Sequence, residues 1–290
     1  MDFNENFQYY TAKFEKKLAD CYSRLDVSAP SVIREAMIYA VEGGGKRIRP
    51  VLCYSTGELL GVDSNDLDEI AVAIETIHSY SLVHDDLPAM DNDDFRRGKL
   101  STHKKFGEAN GILAGDALLN FAFEVLFSKN NFTEDYIKAV RYISKCSGYS
   151  GMIGGQILDI AAVDDCISEY SLYEIIKNKT ARLIQAPIVA ASYMSGEKFL
   201  KELENFGYEL GVLFQITDDI MDTEGTLQSL GKTPHKDEKE KKLTAVSVFG
   251  LEKAKCIAEN HYNNAKKIID RIDNNGFLSQ FTDALFLRKK

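Results

Sequence analysis

Two apolar segments of this chain each end in a cluster of aspartates, and this feature constrains the fold most. Residues 66 to 86 and residues 200 to 222 both place apolar side chains at three- and four-residue spacing, which is typical of a helix with one buried face. The first cluster contains Asp85, Asp86 and Asp91, and the second contains Asp218, Asp219 and Asp222. Unpaired carboxylates are costly near a core, so such positions usually hold a cation or a hydrogen-bonding partner. The chain should therefore form helices whose acidic ends border the buried side.

The same helical spacing recurs through most of the chain, while strand-like alternation is scarce. This pattern predicts an all-α protein. A third helix is expected over roughly residues 171 to 194, where Lys179 lies inside an apolar stripe and calls for an anion. Residues 223 to 242 are rich in Gly, Ser, Thr, Lys and Glu, which favours a charged loop after the second cluster. No linker stands out, so a single domain is expected over residues 1 to 290.

Composition narrows the functional class. The formal net charge of −9 disfavours a general nucleic-acid binder, which needs clustered outward-facing cations. The five cysteines form no CxxC pair, so we expect reduced thiols rather than a zinc or redox motif. The N-terminus lacks a signal-peptide pattern, and no window approaches the roughly 20 apolar residues of a membrane span. We therefore expect a soluble, cytoplasmic protein without stable membrane insertion.

The aspartate clusters favour a hard divalent cation. Oxygen donors without suitably spaced cysteines indicate magnesium, or manganese, rather than zinc. Arg96 and Arg97 follow the first cluster directly, and their planar forks suit the oxygens of a diphosphate. The residues therefore predict a magnesium ion that carries a diphosphate. Read singly, an acidic patch or a dibasic pair also fits a solvated surface.

Two further segments fit anion binding. Residues 43 to 50 form a glycine-rich cationic stretch with Lys46 and Arg49; it lacks the P-loop pattern and is interpreted as a second anion site or, alternatively, a simple turn. His78 lies seven residues before Asp85, about 10 Å up the same helical face, so it is either a phosphate donor or a structural histidine. His84 next to Asp85 also suggests a metal-dependent phosphohydrolase, although no set of further histidine ligands is evident.

Taken together, several stretches resemble the trans-isoprenyl diphosphate synthases, in particular the bacterial farnesyl or geranyl diphosphate synthase group, over essentially the whole chain. The resemblance implies an all-α isoprenoid synthase-type helical bundle around a deep central cavity, usually as a homodimer. The matching stretches are GGKRIRP at residues 44 to 50, ETIHSYSLVHDDLPAMD at 75 to 91, RRG at 96 to 98, GGQ at 154 to 156, KT at 179 to 180, FQITDDIMD at 214 to 222 and GK at 231 to 232.

The resemblance also implies roles for single residues. Three magnesium ions are expected, with manganese as an alternative. The metal residues are Asp85, Asp91 and Asp218, assisted by Asp86, Asp219 and Asp222; the residues for the allylic diphosphate are Arg96, Lys179, Thr180, Gln215, Lys232 and Lys242; those for isopentenyl diphosphate are Lys46, Arg49, His78 and Arg97. The implied catalytic set is Lys179, Thr180, Gln215, Asp218 and Asp219.

The implied reaction is a condensation. Charge from magnesium and cationic side chains stabilises diphosphate as it leaves the allylic substrate, and the isopentenyl double bond attacks the resulting cation. The departing diphosphate is thought to accept the lost proton, so no side-chain base is expected. Tyr80 and Ser81, five and four residues before Asp85, correspond to positions that limit chain length, and Tyr80 favours farnesyl diphosphate over geranyl or geranylgeranyl diphosphate.

Two departures from the family pattern lie after the second cluster. Residues 233 to 237 read TPHKD where relatives more often have a glycine-containing turn, and Thr244 precedes an alanine rather than the common aromatic residue. A terpene cyclase with the same fold and a non-catalytic helical partner of an active synthase remain alternatives.

Overall fold

The computed structural model describes residues 2–42, 44–162, 169–224 and 243–287. Within these ranges the chain is helical apart from loops and one two-stranded hairpin, which confirms the all-α prediction. The chain divides into two compact units. We call Asn4–Tyr54 with Ser64–Phe132 the first-cluster unit, and Met1–Phe3, Ser55–Asp63 and Thr133–Lys290 the second-cluster unit. The single domain expected over residues 1 to 290 stays a prediction.

The first-cluster unit is organised around one central helix. Its elements are α1 (Phe3–Tyr22), α2 (Ser31–Val41), the start of α3 (Ile48–Leu60), a 3₁₀ turn (Ser64–Leu67), α4 (Asp68–Asp85), β1 (Phe95–Arg96), β2 (Lys99–Leu100), α5 (Thr102–Phe106) and α6 (Glu108–Leu126). Helix α4 packs against α2 and α6. Every residue of α4 from Ile70 to Ile77 is buried. The sequence pattern predicted one buried face, but this part of the helix is buried on all sides.

The second-cluster unit continues with a longer series of helices. Its elements are α7 (Glu134–Ser147), α8 (Met152–Ala161), α9 (Glu169–Ile175), a π-helical segment (Ile176–Ala181), α10 (Arg182–Met194), α11 (Leu200–Glu224), α12 (Ala245–Phe249), α13 (Leu251–Ile269) and α14 (Phe277–Phe286). Helix α11 packs against α10, α13 and the π-helical segment. Its predicted apolar stripe is buried, except that Phe214 is half-buried.

The third predicted helix, residues 171 to 194, is observed as α9, the π-helical segment and α10 in direct succession. The sequence pattern did not predict the π-helical turns. Such turns occur mostly as short insertions in helices and are frequent at functional sites. Lys179 and Thr180 both lie in this segment.

One helix bears on the expectation that no segment spans a membrane. Helix α6 is long and apolar enough, by length and composition alone, to count as a candidate membrane span, with a mean hydropathy of 1.2 and 39% of the window buried. Core helices of soluble proteins pass the same test, so this is weak evidence for a span.

Of the five cysteines, Cys21, Cys53, Cys146 and Cys256 are free thiols, and Cys166 lies outside the described residues.

Candidate active site

The first aspartate cluster lies where α4 ends and the chain folds back. Helix α4 ends at Asp85, with Asp86 as its C-cap. Pro88 favours a break near Asp86 or Leu87, and the observed end lies within two residues of that position. The N–H of Asp91 donates to the carbonyl of Asp85 at 2.8 Å, and the N–H of Asp93 donates to the carbonyl of Asp86 at 3.1 Å. This turn brings Asp91 back to the end of the helix.

Within this cluster Asp86 is a buried carboxylate that holds an arginine. Its Oδ1 accepts a hydrogen bond from Nε of Arg96 at 2.9 Å and a second one from Nη2 of the same side chain. Burial raises the pKa of Asp86, and the hydrogen bond from Arg96 opposes that rise. Nη2 of Arg96 also lies 3.4 Å from Asp93. Asp86 therefore orients Arg96 beside the acidic cluster.

A short hairpin positions the neighbouring arginine. Strands β1 and β2 pair antiparallel, with Arg96 opposite Lys99. Arg97 and Gly98 form the turn with φ of 53° and 76°, and two positive φ angles are typical of a tight hairpin turn. From this turn the guanidinium of Arg97 donates to the carbonyl of Gly44. A side chain at Gly45 would meet that guanidinium at 2.8 Å, so two motifs that are far apart in sequence meet here.

The predicted isopentenyl diphosphate residues share this environment. His78 is half-buried on α4, and its pKa lies well below 6.5, first because of burial and then because of the positive charges of Arg49, Arg97 and Arg96. The imidazole is therefore neutral at pH 7 and can donate a hydrogen bond without adding charge. Lys46 is exposed on the preceding loop. The structure thus brings His78, Arg49 and Arg97 together.

Arg47 has a different role from the basic residues on either side of it. It is 2% exposed and adopts a positive φ of 47°. It donates to Glu15 at 2.6 Å, to Glu75 at 3.1 Å and to the carbonyl of Val41 at 2.8 Å. The sequence contained no signal that separated this buried arginine from its neighbours. Arg47 anchors the glycine-rich loop to the unit.

The chain-length residues, four and five positions before Asp85, both lie about one helical turn above the cluster. Tyr80 is 5% exposed and its ring meets the ring of His84 edge-on, with 5.8 Å between the ring centroids. Ser81 is half-buried and its hydroxyl donates to the carbonyl of His78 at 2.9 Å.

The side chain of His84 contacts a residue of helix α6. Its Nε2 lies 3.0 Å from the carbonyl oxygen of Ile112, so this nitrogen is the donor. A side chain at Gly115 would meet Nε2 at 2.0 Å. His84 therefore packs against α6, which gives no support to a His84–Asp85 metal pair.

The second cluster is part of a chain of hydrogen bonds. Thr180 donates to Oε1 of Gln215 at 2.7 Å, and Nε2 of Gln215 donates to Oδ1 of Asp219 at 2.8 Å. The other oxygen of Asp219 accepts the N–H of Ala245 at 2.7 Å. Asp219 and Asp222 are buried and Asp218 is half-buried, so the acidic end of α11 does border the buried side. The structure thus brings Thr180, Gln215 and Asp219 together.

Lys179 forms an ion pair with a carboxylate of this chain, which the sequence did not predict. Its Nζ lies 2.5 Å from Oδ2 of Asp159 on α8. The backbone of the π-helical segment approaches both flanking helices closely, because a side chain at Gly155 would lie 2.1 Å from N of Lys179 and one at Gly211 would lie 2.5 Å from Cα of Ala181. The spacing of these glycines in the sequence offered no signal for their contacts. The two glycines therefore fix where Lys179 and Thr180 stand.

We expect Gly155→Ala and Gly211→Ala each to cost about 1–3 kcal/mol of stability, because the added methyl group overlaps backbone that cannot move aside. Both variants should also lower kcat, since Lys179 and Thr180 are displaced. Gly207→Ala on α11 is the matched control, because its methyl group would lie 3.0 Å from Cα and Cγ of Gln185, a contact that a shift of a few tenths of an ångström relieves, compared with 2.1 and 2.5 Å at the two test positions. Urea denaturation and steady-state kinetics measure both effects. Equal stability and kcat for all three variants would contradict the assigned packing.

The aspartates fit a magnesium ion that shares its ligands with a substrate. Among the residues that the structure describes, no group of three or more Asp, Glu, His or Cys side chains is arranged to hold a metal ion by itself. Magnesium commonly takes one or two carboxylates together with substrate phosphate oxygens and waters, so a few oxygen donors are enough. Lys232, Lys242 and most of the predicted charged loop, residues 225–242, lie outside the described residues.

Comparison with known proteins gives consistent matches. A family model described as polyprenyl synthetase matches residues 30–275. The chain is 41% identical over 252 residues to a farnesyl diphosphate synthase of Micrococcus luteus, covering 85% of this chain and 87% of that protein. A solved geranyltransferase from Legionella pneumophila superposes with a TM-score of 0.89 at 34% identity, covering 99% and 98% of the two chains. A Helicobacter pylori geranyltransferase, solved with magnesium and isoprenyl diphosphate, gives 0.83 at 31% identity, covering 97% and 96%.

Proposed function

The chain belongs to the polyprenyl synthetase family, and from that premise we propose that it condenses isopentenyl diphosphate with dimethylallyl or geranyl diphosphate to give farnesyl diphosphate. It is a short-chain prenyltransferase with the all-α fold of the solved relatives. The observation that carries the proposal is the chain of hydrogen bonds from Thr180 through Gln215 to Asp219, because it joins two separate family motifs at the second acidic cluster. The farnesyl product is supported by the named activity of the Micrococcus luteus relative.

We assign the metal to the two aspartate clusters. The residues that would hold magnesium, or manganese, are Asp85, Asp91 and Asp218, assisted by Asp86, Asp219 and Asp222, and we expect three ions. When bound, the metal neutralises the charge that develops on the departing diphosphate. The magnesium and isoprenyl diphosphate in the Helicobacter pylori relative support this assignment.

The side chains of this protein then bind and orient the two substrates. We assign the allylic diphosphate to Arg96, Lys179, Thr180 and Gln215, with Lys232 and Lys242 outside the described residues. Asp86 orients Arg96, and Asp219 orients Gln215, so these donors are set in place before charge develops. Lys179 is held by Asp159, and its ammonium has three protons, so it can donate to a diphosphate as well.

We assign isopentenyl diphosphate to Lys46, Arg49, Arg97 and the neutral His78. The allylic C–O bond breaks and diphosphate leaves, the isopentenyl double bond attacks the cation to form the new C–C bond, and the departing diphosphate accepts the proton whose loss restores neutrality. None of these steps requires a side-chain base. Apolar surroundings would protect the cation from water.

One incubation distinguishes this function from its alternatives. Purified protein is mixed with magnesium, geranyl diphosphate and labelled isopentenyl diphosphate, and the products are separated by chromatography. We expect a labelled fifteen-carbon diphosphate. Free phosphate would indicate a phosphohydrolase, a cyclic hydrocarbon would indicate a terpene cyclase, and no reaction would indicate a non-catalytic partner of another synthase.

Tyr80 should limit the length of the product. Its bulky ring is buried on α4, and replacing it by alanine removes that bulk from the proposed wall. We therefore expect Tyr80→Ala to shift the product distribution toward chains longer than fifteen carbons, measured by chromatography of the dephosphorylated products. Tyr80→Phe keeps the ring and should keep the product. An unchanged distribution in Tyr80→Ala would count against the assignment.

We also propose a cytoplasmic homodimer. Helix α6 leaves Ile112 and Leu113 exposed, and α8 leaves Ile157 and Ile160 exposed. A second copy of the chain would cover such apolar surface. Sedimentation should give a mass of twice 32.5 kDa, and a monomer at micromolar concentration would contradict the dimer.

A further inference from the structure

The second-cluster unit contains a cavity that none of the proposed substrate or metal residues lines. It has a volume of about 460 Å³ and lies between α7, α10 and the start of α11. Its walls include four basic side chains, Lys138, Arg141, Lys145 and Arg182, together with Tyr142 and Glu204. We call it the basic cavity.

The positively charged side chains around the basic cavity lie close enough to repel one another. Lys138, Arg141 and Lys145 follow each other at spacings of three and four residues, so they share one face of α7. Lys138 is paired with acids, which leaves Arg141 and Lys145 as like charges four residues apart, a spacing that destabilises a helix. Arg182, the first residue of α10, adds a further positive charge from the opposite wall. An anion within the cavity would remove this repulsion.

The acids near the cavity leave three of the four cations unneutralised. Lys138 is paired with Glu197 at 2.9 Å and with Glu134 at 3.3 Å. Glu204 accepts a hydrogen bond from Tyr142 at 3.3 Å instead of pairing with a cation. Across the described ranges, the side chains of Arg141, Lys145 and Arg182 have no hydrogen-bond or ion-pair partner; Arg141 and Lys145 are exposed and Arg182 is half-buried. In a chain with a net charge of −9, such a group of cations points to an anion from outside.

We propose that the basic cavity binds the phosphate or diphosphate group of a small molecule. Two arginine forks and an ammonium group suit oxygens of this kind, and charge-assisted hydrogen bonds to them are about twice as strong as neutral ones. The volume exceeds that of a bare phosphate and falls in the range of small-molecule pockets. The rings of Tyr142 and Tyr193, 6.0 Å apart, give the rest of the molecule an apolar wall.

The test measures binding in the absence of reaction. Full-length protein is freed of divalent ions with EDTA, and inorganic phosphate and inorganic diphosphate are titrated by calorimetry. The test variant is Arg141→Gln with Lys145→Gln. The control is Lys16→Gln with Lys267→Gln, which removes the same charge from two exposed positions without a partner in the described chain. We expect binding at least about tenfold weaker in the test variant and unchanged in the control.

Equal affinities in the two double variants would overturn the proposal. The test variant should also keep the kcat of the wild type with prenyl substrates, and a parallel loss of kcat and of binding would show that the cavity is not a separate site. Should the test variant fail to fold, a crystal of the wild type soaked in tungstate gives a second answer. An anomalous peak within hydrogen-bond distance of Arg141 and Arg182 supports the site, and tungstate found only elsewhere overturns it.

Discussion

Replacing Asp85 or Asp218 by asparagine is expected to lower kcat by a factor on the order of 10²–10³ or more while leaving the fold intact. Each aspartate is half-buried toward the C-terminal end of its helix, and the carboxylate of Asp85, the last residue of α4, also opposes the helix macrodipole. Asparagine keeps the size of the side chain and removes the charge, so the proposed metal site weakens while folding is spared. Removing a single stabiliser of developing charge typically costs this much in rate.

The measurement compares steady-state kcat with thermal unfolding. Asp94→Asn is the matched control, because Asp94 belongs to the same acidic stretch but is exposed and pairs with Lys104 at 2.8 Å on the surface. It should keep both the kcat and the melting temperature of the wild type. Wild-type turnover in Asp85→Asn or Asp218→Asn would refute the metal assignment. A large drop in melting temperature would show instead that the aspartate has a structural role.

Local sequence pattern was sufficient to locate the acidic clusters. Apolar spacing and Pro88 indicated a break near Asp86 or Leu87, within two residues of the observed end of α4 at Asp85. Apolar spacing also placed Asp218 and Asp219 near the end of α11, because helical periodicity acts over a few residues. The family motifs predicted which residues belong to the site, but not which of them form hydrogen bonds with each other. Which oxygen accepts from which donor, as in the chain from Thr180 to Asp219, is decided by tertiary packing.

The features that the sequence missed all depend on contacts between distant residues. Asp159 pairs with Lys179 across two helices, and the π-helical segment is placed where Gly155 and Gly211 allow backbones to approach. The sequence around these residues does not predict either contact. A glycine within a helical pattern indicates only a less stable helix, not a close approach to another backbone. The central helix α4 was also expected to have one polar face, and surrounding helices bury it instead.

Lys46 and Arg47 are adjacent and basic, yet we expect opposite results when each is replaced by methionine. Arg47→Met removes the cation between Glu15 and Glu75, and Glu75 is only 2% exposed. Breaking a buried ion pair from one side leaves an uncompensated charge, so we expect a loss of about 3–5 kcal/mol of stability. Lys46→Met affects an exposed side chain and should change stability by less than about 0.5 kcal/mol. It should instead raise KM for isopentenyl diphosphate.

Urea denaturation and steady-state kinetics on both variants check this contrast, and a third variant isolates its cause. If the loss in Arg47→Met comes from the stranded carboxylate of Glu75, then Arg47→Met combined with Glu75→Met should recover much of it, because two apolar side chains of similar size carry no unpaired buried charge. Glu15 is 46% exposed in its side chain and can remain solvated without its arginine. A double variant as unstable as Arg47→Met would show that the hydrogen bond to the Val41 carbonyl, rather than the ion pair, holds the glycine-rich loop in place.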